Sequence, residues 1–316
     1  MKLIINIPAY NEAEVIDKTI KNIPRQLKGI DKILIQVIDD GSKDNTANVA
    51  RESGADIVIS HKTNRRLGVA FNTAVESAID HQSDIMVNID ADGQFNSDEI
   101  KNLIQPILNG KADMVIGDRF NKGSADGIPF LKNLLNRFAA KIVGSFLNIN
   151  IHDLTCGFRA HNKETLLKLN KVSGFTYTQE TIIDAIGKNL KLKWIPVTVE
   201  YFEDRQSRIV KSIWKFVSAS LQIIIKAIRD VRPMKFFGIP GFILLFISLV
   251  LMIIFLLLYF QDFQITPYRN YLLLSITSLL IGFQFIIFAL IADMIKANRK
   301  LIEDQLYLEK AKKYKK

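Results

Sequence analysis

Residues 85–94 read Ile-Met-Val-Asn-Ile-Asp-Ala-Asp-Gly-Gln, an apolar run that ends in two carboxylates one residue apart. A short apolar run closed by an Asp-Gly turn signals a strand buried on both faces. The pattern recurs upstream. Runs at 3–7 and 33–39 lead into Pro8-Ala9-Tyr10-Asn11-Glu12 and Asp39-Asp40-Gly41-Ser42, and the run at 56–59 is followed by Asn64-Arg65-Arg66-Leu67-Gly68. Amphipathic stretches at 12–27, 46–52 and 68–79 separate these runs, and further strands are expected at 114–116 and 194–199. Strands alternating with helices predict a mostly parallel, Rossmann-like α/β sheet. Such sheets bind ligands beyond the carboxyl ends of their strands, which is where all four polar clusters fall.

On an extended segment positions i and i+2 point the same way, so Asp90 and Asp92 can face one point. Two hard oxygen donors there suit Mg²⁺ or Mn²⁺ held jointly with substrate phosphates. The plainer alternative is an Asp-Gly turn in which Asp92 caps the next segment. Asp39 and Asp40 offer acceptors for a ribose or a base, and Gly41 permits a close backbone approach. Arg65 and Arg66 can neutralise a diphosphate, while Asp44 or Asn45 caps the helix that follows. Neither a Walker loop nor a Gly-x-Gly-x-x-Gly fingerprint is present, which argues against a P-loop kinase or an ordinary NAD enzyme. No His or Cys set has zinc spacing. His152 and His161, near Asp153 and Cys156, read as structural or solvated. The single cysteine, Cys156, excludes an internal disulfide framework.

The 316 residues carry a net charge of +10, which would suit a nucleic-acid partner if it were spread over one surface. It is not. Residues 205–235 hold eight Lys/Arg and one acid, residues 296–316 hold eight and three, and the remainder is slightly acidic. Both basic segments flank uncharged apolar stretches, 236–260 and 271–292, each long enough to span a bilayer as a helix. The excess of Lys and Arg outside the hairpin places both termini in the cytoplasm by the positive-inside rule. The opening Met-Lys-Leu-Ile-Ile-Asn-Ile-Pro is too short for a signal-peptide core, so the residues ahead of the hairpin are expected to stay cytosolic. The expected organisation is an α/β domain at 1–204, a basic juxtamembrane segment at 205–235, two transmembrane helices within 236–295, and a basic cytosolic tail at 296–316. The tail reads as a helix on the membrane surface, frayed at its end. Residues 129–147, with Phe130, Leu134, Phe138, Ile142 and Phe146 at fourth positions, and 213–228 read as amphipathic interfacial helices, the plainer alternative for each being a helix packed on the sheet.

The clusters at 8–12, 39–44 and 90–94 together resemble the family-2 glycosyltransferases of the GT-A fold. More narrowly, the chain is similar to the polyprenyl-phosphate glycosyltransferases, the group that contains dolichol-phosphate mannose synthase. The pieces that fit this subgroup are Gly117-Asp118-Arg119-Phe120, Leu154-Thr155-Cys156-Gly157-Phe158-Arg159, Thr176-Tyr177-Thr178-Gln179-Glu180 and the basic segment 205–212. The last departs from the Gly-Glu-Ser-Lys pattern of the dolichol-phosphate mannose synthases, so mannose does not follow from the likeness. The resemblance implies a sugar donor, GDP- or UDP-linked, held by Pro8, Tyr10, Glu12, Asp39, Asp40, Arg66 and Asp90. It implies Mg²⁺ or Mn²⁺ on Asp90, Asp92 and Gln94, and catalytic roles for Asp92, Arg119 and Gln179. It places the phosphate of an undecaprenyl or dolichyl acceptor on Arg119, Arg205, Ser207, Arg208 and Lys211, and implies inversion at the anomeric carbon. The bilayer is the implied partner, nucleic acid is not, and homo-oligomerisation stays open. A processive synthase with a saccharide acceptor and a membrane nucleotidyltransferase are the alternatives. The Gln-x-x-Arg-Trp segment of processive synthases is absent here.

Overall fold

A computed structural model describes residues 1–120, 130–169, 177–200, 221, 222, 224–226 and 228–315, the side chains of 130–135 excepted. The chain divides into two compact units, Met1–Ile224 with Glu303–Lys316, and Ile225–Ile302.

The first unit is built on a seven-stranded sheet of β1 (Lys2–Ala9), β2 (Lys32–Asp39), β3 (Ile57–Ser60), β4 (Ile85–Asn88), β5 (Met114–Asp118), β6 (Arg159–Asn162) and β7 (Leu192–Pro196). Their order across the sheet is β3-β2-β1-β4-β6-β5-β7. The pairings are parallel except that β6 runs antiparallel to β4 and β5. Leu3, Ile4, Ile5 and Ile7 of β1 and Ile35, Val37 and Ile38 of β2 are fully buried, which is why these strands read as unbroken apolar runs.

Among the described residues, seven α-helices connect and cover the sheet: α1 (Ile16–Lys21), α2 (Thr46–Glu52), α3 (Leu67–Asp80), α4 (Ile100–Leu108), α5 (Phe130–Leu147), α6 (Lys163–Lys168) and α7 (Thr178–Gly187). The helix expected at 12–27 is therefore only six residues long. Asn11 adopts a left-handed φ of 52°, which opens residues 10–15 into a loop, and Pro24 blocks continuation at the other end. On α5, Asn136, Ala140, Val143 and Leu147 face inward while Phe138 and Ile142 are exposed, so two of the three stripe residues whose side chains are described are left uncovered.

Two features were not legible in the sequence. β6 reads Arg-Ala-His-Asn and has no apolar run to announce it, yet Arg159 and His161 are fully buried within it. The second concerns the tail. The expectation of a frayed helix on the membrane surface is not met, because residues 303–315 pack on the first unit as the end of a long helix. Tyr307, Ala311 and Tyr314, spaced four and three apart on one face, lie against the cluster that includes Ala74, Ala78 and Leu166 of α3 and α6. Tyr307 Oη donates to Glu164 Oε2 (3.2 Å), Tyr314 Oη donates to Asp84 Oδ1 (3.1 Å), and Lys310 Nζ donates to the Leu169 carbonyl (2.5 Å). Lys163 Nζ stands 3.8 Å from the centre of the Tyr314 ring. The tail has an apolar face of its own, and the domain offers a complementary one.

The second unit contains α8 (Pro233–Asp262) and the membrane-length part of α9 (Arg269–Lys315), joined by a turn in which Phe263 is left-handed. Gly241 and Gly282 face each other. A Cβ on either would come within about 3.2 Å of the other's carbonyl oxygen, so both positions require glycine for the helices to approach. One face nearby is closed by reciprocal hydrogen bonds of 2.8 Å between the Ser248 and Ser275 hydroxyls and each other's carbonyls. The outward residues, among them Phe242, Phe246, Leu257 and Leu280, are exposed and apolar. Helices this apolar all round, with small residues and paired serines at their contact, are long enough to cross a membrane.

Candidate active site

Because β2, β1 and β4 are neighbours, their polar carboxyl ends form one continuous edge. The loops after β1 and β2 are pinned to each other. The N–H of Asn11 donates to Ser42 Oγ (2.9 Å), that of Glu12 to Thr46 Oγ1 (2.9 Å), and that of Lys43 to Asn11 Oδ1 (2.8 Å). Pro8, Tyr10 and Glu12 sit half-exposed on this edge. Asp39 is buried and accepts the N–H of Ser42 (3.0 Å), closing its own turn. Asp40, also buried, accepts the Arg65 N–H (2.9 Å) and faces His61 Nδ1 (2.7 Å). Gly41 has φ of 72°, and a Cβ there would meet the Thr63 backbone at 2.4 Å. The loop carrying Arg65 and Arg66 is thus drawn against the Asp40 turn, with both arginine side chains exposed.

At the end of β4, Asp90 is half-buried beneath residues 154–158. A Cβ on Gly157 would lie 3.0 Å from both Asp90 oxygens, so only glycine lets that segment pass. Desolvation first, and then the charge of Asp92, push the Asp90 carboxyl up to about 7, against the pull of Arg119 and Arg159. Asp92 Oδ1 accepts the N–H of Gln94 (3.1 Å). Two neighbouring carboxylates at a strand end, one raised by the charge of the other, are hard oxygen donors of the type that suits a divalent cation. Among the described residues no third His, Cys, Asp or Glu joins them.

Arg119, at the end of β5, is buried and bound through Nε and Nη2 to the two oxygens of Asp153 (2.8 and 3.1 Å), with Nη2 also donating to Thr155 Oγ1 (2.6 Å). Burial alone would raise the Asp153 carboxyl, but the charge and hydrogen bonds of Arg119 outweigh it and hold Asp153 below the usual range. Gln179, on the first turn of α7, is buried, and its Oε1 has no hydrogen-bond partner among the described residues. Arg205, Ser207, Arg208 and Lys211 lie outside the described residues, as does most of 213–228.

Sequence reasoning missed a row of buried amides under this edge. Gln36 Nε2 donates to Asn6 Oδ1 (3.0 Å), Asn6 Nδ2 to Asn88 Oδ1 (2.6 Å), and Asn88 Nδ2 to Tyr177 Oη (2.6 Å). Tyr177 Oη in turn donates to the Gly157 carbonyl (3.0 Å) and its ring stacks on Phe71 at 4.1 Å. The row crosses three strands and ends on the segment that covers Asp90. Its signal was available, since Asn6, Gln36 and Asn88 are the polar interruptions of the apolar runs. His61 was also missed, and Arg159 stood only within the 154–159 piece with no role assigned.

This geometry can be set beside known proteins. The glycosyl transferase family 2 model matches residues 4–169, a span that holds the clusters of Asp40, Asp90 and Arg119. A relative from Methanococcus voltae, UDP-N-acetylglucosamine–dolichyl-phosphate N-acetylglucosaminyltransferase, is 30% identical over 225 residues, covering 64% of this chain and 87% of that protein. Glycosyltransferase AglJ of Haloferax volcanii is 28% identical over 293 residues and covers 91% of each chain. Among solved structures, glucosyl-3-phosphoglycerate synthase from Mycobacterium tuberculosis, crystallised with Mn²⁺, UDP and phosphoglyceric acid, superposes with a TM-score of 0.55. At 20% identity over 73% of this chain and 78% of that one, this is a likeness of fold, the GT-A fold. With the family model covering more than half of the chain, including the strand ends that carry the site, the protein belongs to glycosyl transferase family 2.

Proposed function

We propose that the protein transfers a sugar from a nucleoside-diphosphate donor to a polyprenyl phosphate at a membrane surface. The observation that carries this reading is the Asp90–Asp92 pair on the sheet edge of a chain that also bears a two-helix apolar hairpin. The dolichyl-phosphate acceptor of the Methanococcus voltae relative supports it.

In this reading Pro8, Tyr10, Glu12, Asp39 and Asp40 line the nucleotide, and Arg66 meets the diphosphate. Asp90 and Asp92, with Gln94, would hold Mg²⁺ or Mn²⁺, which when bound supplies charge neutralisation on the departing diphosphate. Arg119 is fixed by Asp153 and lends positive charge to the same edge. With it, Arg205, Ser207, Arg208 and Lys211 would receive the acceptor phosphate, for which the arginine fork is suited. Gln179 offers a buried oxygen that a bound hydroxyl would satisfy. A phosphate monoester is already ionised at neutral pH, so its oxygen attacks the anomeric carbon without a strong general base. The nucleoside diphosphate leaves with the bonding pair and the configuration inverts. Catalysis then rests on bringing two anions together in order. Purified protein given polyprenyl phosphate and a panel of GDP- and UDP-sugars is expected to form a lipid-phosphate-linked sugar with one of them. Transfer of the nucleotide, or of sugar to a saccharide alone, would overturn the proposal.

The same reading places the catalytic unit and the residues after the hairpin in the cytoplasm, with α8 and α9 spanning the membrane. Cysteines introduced at Gln264, in the inter-helix turn, and at Lys111, exposed on the catalytic unit, test it with an impermeant thiol reagent on intact cells. Cys156 is buried and should stay silent. Position 264 is expected to label and position 111 is not. The reverse pattern would invert the topology.

A further inference from the structure

His61 belongs to no cluster that the sequence singles out, yet it is built into the edge of the site. Its N–H extends the ladder between β2 and β3 by donating to the Asp39 carbonyl (2.9 Å), which turns the ring toward the next residue, Asp40. His61 and Asp40 side chains are each 7% exposed, and Nδ1 stands 2.7 Å from Asp40 Oδ1. On its far side the ring meets Thr73 Oγ1 through Nε2 (3.0 Å), and that hydroxyl is itself held to the Val69 carbonyl on α3 (3.1 Å). The imidazole is therefore clamped between a carboxylate and a helix. A carboxylate next to a histidine ring accepts the ring N–H, and the Arg65 N–H falls on the same oxygen (2.9 Å). Both of these donors fall on Oδ1.

The geometry points to His61 as a positioning residue for the donor nucleotide. It fixes the rotation of the Asp40 carboxylate so that a single oxygen accepts an N–H or O–H from the base or ribose of a nucleoside diphosphate. This deepens the proposed function and rests on its assignment of Asp40 to the nucleotide. A carboxylate free to rotate would have to be ordered on binding, and the clamp removes that cost beforehand.

Calorimetric titration of UDP and of GDP into full-length protein in detergent with Mn²⁺ tests the inference. If wild-type protein binds neither nucleotide, the functional reading itself fails. If it binds one, His61→Leu, which keeps bulk but has no donor, should weaken that affinity about tenfold or more, the size of a hydrogen bond to a charged group. The turnover number at saturating donor and the KM for acceptor should change less than about twofold, a split that general loosening of the fold would not produce. His61→Asn, whose amide nitrogen can stand where Nδ1 does, should recover affinity to within about threefold. A folded His61→Leu protein with wild-type nucleotide affinity overturns the role, and so does an Asn variant as weak as the Leu variant. Should His61→Leu not fold, Thr73→Val decides instead. Losing the anchor at Nε2 should weaken nucleotide binding roughly two- to threefold, and unchanged affinity there is the contrary result.

Discussion

Asp92→Asn is expected to lower sugar transfer by roughly three orders of magnitude while leaving the fold intact. The substitution keeps the volume of the side chain and its ability to accept the Gln94 N–H, and removes only a charge. That charge does two things. In the proposed function it supplies half of the anionic donor set for a divalent ion, and it raises the neighbouring Asp90 carboxyl, which is pushed up to about 7. Chelation with EDTA should reproduce the loss in the unsubstituted protein, with Mn²⁺ or Mg²⁺ restoring it. Full turnover in EDTA would remove the metal from the mechanism. A second reading comes from stability. Asp90 is raised in the fold relative to the unfolded chain, so between about pH 4 and 7 the folded state holds a proton that the unfolded state has released. Stability of the metal-free protein should therefore decline as pH rises through that window, because ionised Asp90 must be carried in a poorly solvated place beside Asp92. Removing the Asp92 charge should flatten the decline, and thermal melts across the window in EDTA would show it. An unchanged slope in the Asn variant would mean that burial alone governs Asp90.

Arg159→Met is expected to be the most damaging single change to the catalytic unit that leaves every carboxylate in place. The guanidinium is fully buried and donates to the Cys156 and Thr178 carbonyls (both 2.6 Å), the Leu154 carbonyl (3.3 Å) and Thr181 Oγ1 (2.9 Å). Burial pulls its proton affinity down, and the nearby charge of Asp153 opposes that. Methionine fills most of the space but satisfies none of those oxygens. Leaving several buried carbonyls without a donor costs about 4 kcal/mol in total. For a unit of this size that corresponds to roughly 8–16 °C in the melting midpoint. The consequence reaches the site, because the Leu154 and Cys156 carbonyls belong to the segment lying over Asp90, and Arg159 lowers Asp90. Transfer should fall along with stability, unlike in Asp92→Asn. A melting midpoint within two or three degrees of wild type would show that the oxygens find other donors.

Much of the fold is readable because physics writes it locally. β1, β2 and β4 announce themselves as unbroken Ile/Val runs, and the polar clusters that follow them come together because the sheet is parallel. The Asp90–Asp92 spacing likewise says two carboxylates meet before any coordinates are known. What escapes is whatever depends on a distant partner. β6 is a strand through its ladders to β4 and β5, not through its own composition of Arg, Ala, His and Asn. Nothing local to Arg119 reveals that Asp153 will hold it, and Asp40 cannot disclose that a histidine twenty-one residues on sets its rotation. The basic composition of the tail spoke for a charged surface, whereas the spacing of Tyr307, Ala311 and Tyr314 spoke for a packed face. The weaker signal was the one the fold obeyed.

That tail also sets an order of events during synthesis. Tyr314 bonds to Asp84 across 230 residues and to the Gln82 carbonyl across 232. At 5–20 residues per second, on the order of ten to fifty seconds pass between the emergence of α3 and that of its cover. Through that interval the outer side of α3 and α6 must either stay wet or be shielded by something else, even though the sheet behind it can already have formed. Newly made chains stalled before residue 303 should therefore engage general chaperones on this face, and release should coincide with arrival of the last helical turns. The nascent protein is complete as a sheet well before it is complete as a surface.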